Sequence, residues 1–207
     1  MKTLIAITFT DRTYDHLDSC VNSLLMSPLK KEIHVFDATK DGVNNDVKSF
    51  FRAYSKFKVF LHRVKPAKNL PNDIARKNRA ILDSIHLYKA KSGFLSYIHI
   101  NPNLFFKGHS LQILSDNAQL YSCVSPVIEN KKGMEIKDGI ADRWGFSVFD
   151  KGNLDFSYTT GQIEESFAVN HKCFCISDRY IRKLGRLWQS QQETDLYINS
   201  ILLCIQM

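Results

Sequence analysis

Over its first half the chain alternates short, β-branched apolar runs with longer amphipathic segments, and this alternation confines it to folds in which helices cover a mostly parallel sheet. Leu4–Phe9 is an apolar run of strand character. It is followed by Tyr14–Met26, where Leu17, Val21, Leu24 and Leu25 recur at helical spacing. Pro28 and the lysines after it end that helix, and Glu32–Phe36 reads as a second strand running into Asp37. A polar loop at Thr39–Asn45, a helix over Asp46–Tyr54, a third strand at Lys58–Val64 and a long helix over Asp73–Tyr88 continue the pattern. A fourth strand, Phe94–Ile100, stops at Asn101-Pro102-Asn103. Beyond Leu104 the spacing predicts a helix over Ser110–Ala118, a strand at Leu120–Val124, and an irregular glycine-bearing stretch from Glu129 to Gly161. A strand at Ser166–Ile176 and helices at Asp178–Leu184 and Thr194–Ile205 complete the reading.

The 207 residues, 44% of them hydrophobic, suffice for one sizeable core, so the chain is read as a single α/β domain over 1–207. Met1–Phe9 meets Asp11 and Arg12 before any small-residue cleavage site, unlike a signal peptide. The longest apolar stretches, Leu95–Ile100 and Ile201–Ile205, fall far below the roughly 20 residues that cross a bilayer. The expectation is a soluble, cytoplasmic protein with no transmembrane segment. Five cysteines without CxxC spacing fit neither a disulfide framework nor a zinc site. On a strand, Cys173 and Cys175 would share one face as small hydrophobes. The net charge of +7 is compatible with an anionic partner or with ordinary lysine-rich surfaces.

In parallel sheets covered on both faces, ligands bind beyond the carboxyl ends of the strands. Those ends are the loops Thr8–Arg12, Asp37–Gly42, Lys65–Asn72 and Asn101–Asn103. Thr8, Thr10, Asp11 and Asp37 are placed there to hydrogen-bond a ligand, with a turn cap as the alternative for Asp37. Arg76 and Arg79 share a helix face beside that edge, as phosphate forks or as an ordinary helix end. Trp144, Phe146, Phe149, Phe156 and Tyr158 are core and lid packing or stacking surfaces for a sugar or base.

These residues resemble the GT-A-type glycosyltransferases, particularly the family 2 group. Leu4–Arg12 looks like the family's opening strand, and Val35–Gly42 like its second strand with the aspartate and turn that face the nucleoside. Asn69-Leu70-Pro71, running into Arg76-Lys77-Asn78-Arg79, is similar to the asparagine-leucine-glycine segment before an arginine-asparagine helix and is the most specific match. Phe94–Phe106 resembles the strand carrying the aspartate-x-aspartate motif, Val124–Ile128 the strand after it, and Glu193-Thr194-Asp195-Leu196 the acidic motif that supplies the base.

The resemblance implies a GT-A-like, Rossmann-like domain with a nucleotide-sugar-binding half (1–104) and an acceptor-side half (105–207). It implies a nucleotide-diphosphate sugar donor, a UDP-sugar foremost, transferred to an acceptor hydroxyl with inversion. Asp195 would be the base, with Glu193 beside it and Asp142 the next candidate; both Glu193 and Asp195 also suit the start of a helix. The chain departs from the pattern at Asn101 and Asn103, where the family carries metal-binding aspartates. Neutral amides attract Mn or Mg poorly, so metal dependence is open, with His171 as a further ligand candidate, and Asn101-Pro102-Asn103 is also simply a turn. A basic protein without amphipathic anchors suggests hydroxymethylated bases of duplex DNA as acceptor, as in phage DNA modification within the host cytoplasm. A surface glycan or lipid-linked sugar is the ordinary family alternative, and a degenerate nucleotide-sugar-binding module a third.

If Asp195 is the base, Asp195→Asn lowers the transfer rate by about 10²–10⁴-fold while donor affinity stays within a few fold. Glu193→Gln is milder. Steady-state transfer kinetics beside donor titration check this, and a near wild-type Asp195→Asn enzyme moves the base elsewhere.

Overall fold

The architecture comes from a computed structural model that describes residues 2–43, 45–65, 70, 72–121, 123–126 and 172–183. Its elements are β1 (Lys2–Phe9), a 3-10 turn (Tyr14–His16), α1 (Leu17–Met26), β2 (Lys31–Asp37), α2 (Asn45–Tyr54) and a second 3-10 turn (Ser55–Phe57). There follow β3 (Val59–Arg63), α3 (Asp73–Ala90), β4 (Phe94–Ile100), α4 (Ser110–Tyr121), β5 (Cys123–Val124), β6 (Cys173–Ser177) and α5 (Asp178–Ile181).

Among the described residues the strands form a six-stranded sheet in the order β3-β2-β1-β4-β6-β5. β1 pairs in parallel with β2 and β4, and β2 with β3, whereas β6 runs antiparallel to both β4 and β5. The sheet is therefore mostly parallel, as the alternation predicts. Strand alternation divides the core into two layers. Ile5, Ile7, Phe9, Val35, Ile98 and Ile100 face α1, α2 and α4, while Leu4, Ala6, Phe36, Tyr97 and Phe174 face α3 and Ile181 of α5.

Buried hydroxyls bring helices to the sheet in fixed register. Ser115 of α4 bonds Ser96 of β4 at 2.8 Å, and Ser96 bonds Thr3 of β1 at 3.0 Å. On the other face Ser84 of α3 meets the Tyr97 hydroxyl at 2.6 Å, and the Tyr88 hydroxyl donates to Asp178 at 2.9 Å. Tyr88 and Tyr97 pack edge to face, 5.9 Å apart. Cys173 and Cys175 are both buried on one face, and burial pushes their thiols well above the usual range, as small hydrophobes would show.

Elements up to β4 lie within a residue or two of the periodicity. Two later boundaries differ. α4 runs through Tyr121, so the strand predicted from Leu120 begins only at Cys123. Leu111, Leu114 and Ala118 keep α4 seated, and Gln119 ties its end to the Leu95 carbonyl at 3.0 Å, which overrides the strand character of Leu120 and Tyr121. The described part of the strand predicted at Ser166–Ile176 is Cys173–Ser177, and the described part of the next helix ends its α-turn at Ile181. The stretch Glu129–Gly161 and the helix at Thr194–Ile205 lie outside the described residues.

On the α3 face, His34 stacks on Phe60 and shares a 2.8 Å hydrogen bond with His62. Burial, reinforced by the charges of Lys91 and His62 and opposed by Glu32, pushes His34 down to about 4; burial and Lys91 also lower His62. Both imidazoles are thus neutral in the folded protein at pH values where the unfolded chain, titrating near 6.5, already binds protons. Their contribution is complete above about pH 6.5 and is lost as the pH falls towards 4. Urea unfolding should show stability dropping by up to about 3 kcal/mol across that window through His34. His34→Gln should flatten the slope, and an unchanged slope would remove His34 from the account.

Candidate functional site at the carboxyl edge

The chain builds β1, β2 and β3 outward in one direction and then returns to place β4 on the other side of β1. At such a reversal open α/β sheets bind ligands in a crevice, here the one expected between the carboxyl ends of β1 and β4. Thr8, Thr10 and Asp11 arrive there from β1, Asn101 and Asn103 from β4, and Asp37 from β2.

Asp37, the last residue of β2, is buried and turned into its own loop. Its Oδ1 accepts the Thr39 backbone N–H at 3.0 Å and the Thr39 hydroxyl at 2.5 Å, and its Oδ2 accepts the Val43 N–H at 3.1 Å. The Arg63 guanidinium lies 3.0 Å from Oδ1 and donates onward to the carbonyls of Thr39 (2.6 Å) and Lys40 (2.8 Å). Gly42, at φ +89, completes the turn. Asp37 thus has the geometry of the turn cap, and it shapes the loop that the ligand would meet. Arg63 and Thr39 were not legible as its partners: Arg63 stands opposite Asp37 only once the β2–β3 register is known.

Arg76 is the second organiser. Asn72 caps α3 by accepting the Ala75 N–H at 2.8 Å, and one turn in, the Arg76 side chain points into the protein. Its Nε donates to the Ala38 carbonyl at 3.0 Å, and its terminal nitrogen donates to Asp11 at 3.2 Å and to Asp73. Asp11 also accepts the Lys40 N–H at 3.3 Å, and Asp73 pairs with Arg12 at 3.2 Å. One guanidinium therefore joins the loops after β1 and β2 to the start of α3. Arg79 is half exposed and pairs along the helix with Asp83 at 3.0 Å, away from that knot.

Thr10 forms a compact turn with Thr13, whose N–H donates to the Thr10 carbonyl at 3.1 Å and whose hydroxyl accepts the Thr10 N–H at 3.0 Å. Asn101 is anchored by its N–H to the Lys172 carbonyl at 2.7 Å, and its Oδ1 accepts the Asn103 N–H at 3.3 Å. That is the turn geometry, with the Asn101 amide oxygen facing its own backbone. Among the described residues this donor set does not fit a hard divalent ion, which prefers several anionic oxygens, and no group of three His, Cys, Asp or Glu side chains is placed to hold one. Asp195, Glu193 and His171 lie outside the described residues, as do Asp142 and the aromatics from Trp144 to Tyr158.

Thr8 stands apart. It is buried, one residue before the end of β1, and among the described residues its hydroxyl has no hydrogen-bond partner. A buried hydroxyl without a partner destabilises the free protein, and such groups in native structures call for a reason.

No family model matches the sequence, and no curated protein matches it. Solved structures do. S. aureus TarS 1-349 aligns over 66% of this chain and 38% of its own at 10% identity, with a TM-score of 0.47. Its complex with UDP-GlcNAc aligns over 63% and 36%, with a TM-score of 0.45. This chain therefore spans little more than a third of those TarS chains. The galactosyltransferase LgtC, solved with donor and acceptor sugar analogs, aligns over 97% of this chain and 70% of its own at 13% identity, with a TM-score of 0.55. The chain has the fold of that galactosyltransferase, the GT-A-like arrangement implied by its sequence.

If the Thr8 hydroxyl is kept for a ligand, Thr8→Val should raise the thermal stability of the free protein by about 1 kcal/mol. The same change should weaken nucleotide binding by about 5–10-fold. Calorimetric melting beside nucleotide titration checks both, and unchanged nucleotide affinity would assign Thr8 to packing alone.

Proposed function

We propose that the chain is a nucleotide-sugar-dependent glycosyltransferase whose donor, a UDP-sugar, occupies the crevice between the carboxyl ends of β1 and β4. The observation that carries this reading is the convergence at one strand-order reversal of Thr8, the Thr10–Asp11 turn, the Asp37 loop and the Asn101 turn, in the fold of a galactosyltransferase solved with donor and acceptor sugar analogs. The Asp37 loop and the Thr10 turn present backbone groups to the nucleoside. Arg76 acts by holding those loops together, and Lys40, whose N–H is fixed by Asp11 and whose side chain is exposed, supplies positive charge to the diphosphate. Asp195 takes the proton of the acceptor hydroxyl as it attacks the anomeric carbon from the side opposite the departing nucleoside diphosphate, which inverts the configuration. Glu193 orients that carboxylate.

The acceptor favoured by the described surface is a surface glycan or lipid-linked sugar. Among the described residues the arginines beside the crevice are engaged by carboxylates, Arg12 by Asp73, Arg63 by Asp37 and Arg76 by Asp11 and Asp73, rather than left open to the phosphates of duplex DNA. Hydroxymethylated DNA is the competing acceptor, and a donor-binding module without turnover is the competing class.

Incubation with mixed nucleotide sugars and both acceptor types, read by mass spectrometry, tests the reading. Transfer to a glycan acceptor is expected, and it should survive a chelator, because Asn101 and Asn103 bring no charge to a metal. Loss of all transfer in chelator, restored by manganese, would place a metal site on other residues. Stabilisation by UDP-sugar without any transfer would favour the binding module.

A further inference from the structure

The opposite, amino edge of the sheet carries a feature that donor binding does not use. Cations scattered along the sequence are laid side by side there by backbone pairing. The Lys58 carbonyl accepts the Ile33 N–H at 2.9 Å, the Lys30 carbonyl accepts the Thr3 N–H at 2.9 Å, and the Lys2 N–H donates to the Gly93 carbonyl at 3.3 Å. Arg182, just after α5, then donates to the Lys91 carbonyl at 3.3 Å. Lys58, Lys30, Lys2, Lys91 and Arg182 thus follow one another from β3 to β6 along one edge. Lys56 and Lys183, both exposed, extend the row at its two ends. Among the described residues the carboxylates beside this row are Glu32 of β2, held by Lys2 and Lys91, and Asp178 of α5, held by Tyr88 and Arg182.

Apolar side chains protrude among these charges. Met26, at the end of α1, is 87% exposed, Phe57 is 54% exposed with the Lys56 ammonium 5.1 Å from its ring, and Leu120 and Tyr121 at the end of α4 are 76% and 53% exposed. Because α1, α4 and the turn before β3 all end at this edge, the protruding groups lie around the lysine row and make it a face. Lysine stems with cationic tips, interspersed with Met, Leu and aromatic side chains, match a bilayer interface, where tips meet anionic headgroups and apolar groups enter the acyl boundary. Nucleic acid is matched less well: Met26 and Leu120 have no π face for a base, and arginine forks are few.

We propose that this amino edge docks the protein on an anionic membrane surface. The partner is recognised by its negative headgroups together with its accessible apolar layer. Docked so, the eight residues of β1 hold the carboxyl edge about 25 Å from the surface, opening away from it. Docking does not require catalysis and is independent of the transferase reading.

Co-sedimentation of the full chain with vesicles of phosphatidylcholine alone, or mixed with phosphatidylglycerol, tests the proposal. Binding is expected only to the mixed vesicles and should weaken as salt is raised. The double variant Lys30→Glu, Lys58→Glu should bind about tenfold more weakly, and Phe57→Ser several-fold more weakly, with melting temperatures near wild type. Lys107→Glu, an exposed change at the carboxyl edge, should leave binding unchanged. Absence of binding to mixed vesicles overturns the proposal, as does binding insensitive to the double variant. Duplex DNA binding that the double variant abolishes, without vesicle binding, overturns it in favour of nucleic acid.

Discussion

The buried guanidinium of Arg76 is the constraint on which the carboxyl edge depends. A cation withdrawn from water is tolerated only when its protons are matched by oxygens, and here the Ala38 carbonyl, Asp11 and Asp73 supply them. Those acceptors belong to three separate segments, the loops after β1 and β2 and the first turn of α3. None of the three can move without leaving a buried charge short of a partner, a loss of about 3–5 kcal/mol where such pairs are broken. The Asp37–Arg63 pair repeats the device one strand further out, stitching the β2 loop to the end of β3. Two arginines thus tie a loop-built edge together, as the proposed sugar transfer requires.

Such an edge forms only if the strands beneath it stay in register. β1 is buried along nearly its whole length and pairs on both sides, so a slip by one residue would send Leu4, Ala6 and Thr8 to the wrong layer. The hydroxyl chain from Thr3 through Ser96 to Ser115 adds directional bonds to that apolar alternation and ties α4 to the same register. Packing at the amino half of the sheet therefore decides where Thr8 and Asn101 end up at the other.

What was legible in the sequence follows this division between local and non-local causes. β1 to β4 and α1 to α3 were readable because apolar period, Pro28 and the stop at Asn101 are all local signals. Their shared order also carried the resemblance to GT-A-type glycosyltransferases. The end of α4 was not readable, because Gln119 reaching Leu95 and Ala118 seated on the sheet are tertiary effects that outweigh the strand propensity of Leu120 and Tyr121. The inward turn of Arg76 and the partnership of Arg63 with Asp37 depend on which strands are neighbours, which no local pattern encodes. Helical spacing put Arg76 and Arg79 on one side, yet burial separates them, since the partners of Arg76 come from other loops and Asp83 draws Arg79 outward. The residues proposed for proton transfer, Asp195 and Glu193, rest on the resemblance and the acidic motif alone.

Net charge shows why a total is a poor guide to a partner. The sum of +7 suggested an anionic ligand without saying where it would bind. In the fold the two ends of the sheet use positive charge differently. At the carboxyl edge the described arginines are matched by aspartates, so those cations serve the shape of the loops. At the amino edge, among the described residues, lysines outnumber carboxylates, and those carboxylates are already neutralised by neighbours, so the cations there create a field that reaches into solvent. An elongated polyanion or charged surface is attracted by such unbalanced charge, whereas a small diphosphate is recognised by oriented donors at short range. The two proposed tasks, donor binding at one end and docking on an anionic surface at the other, therefore do not compete for the same cations.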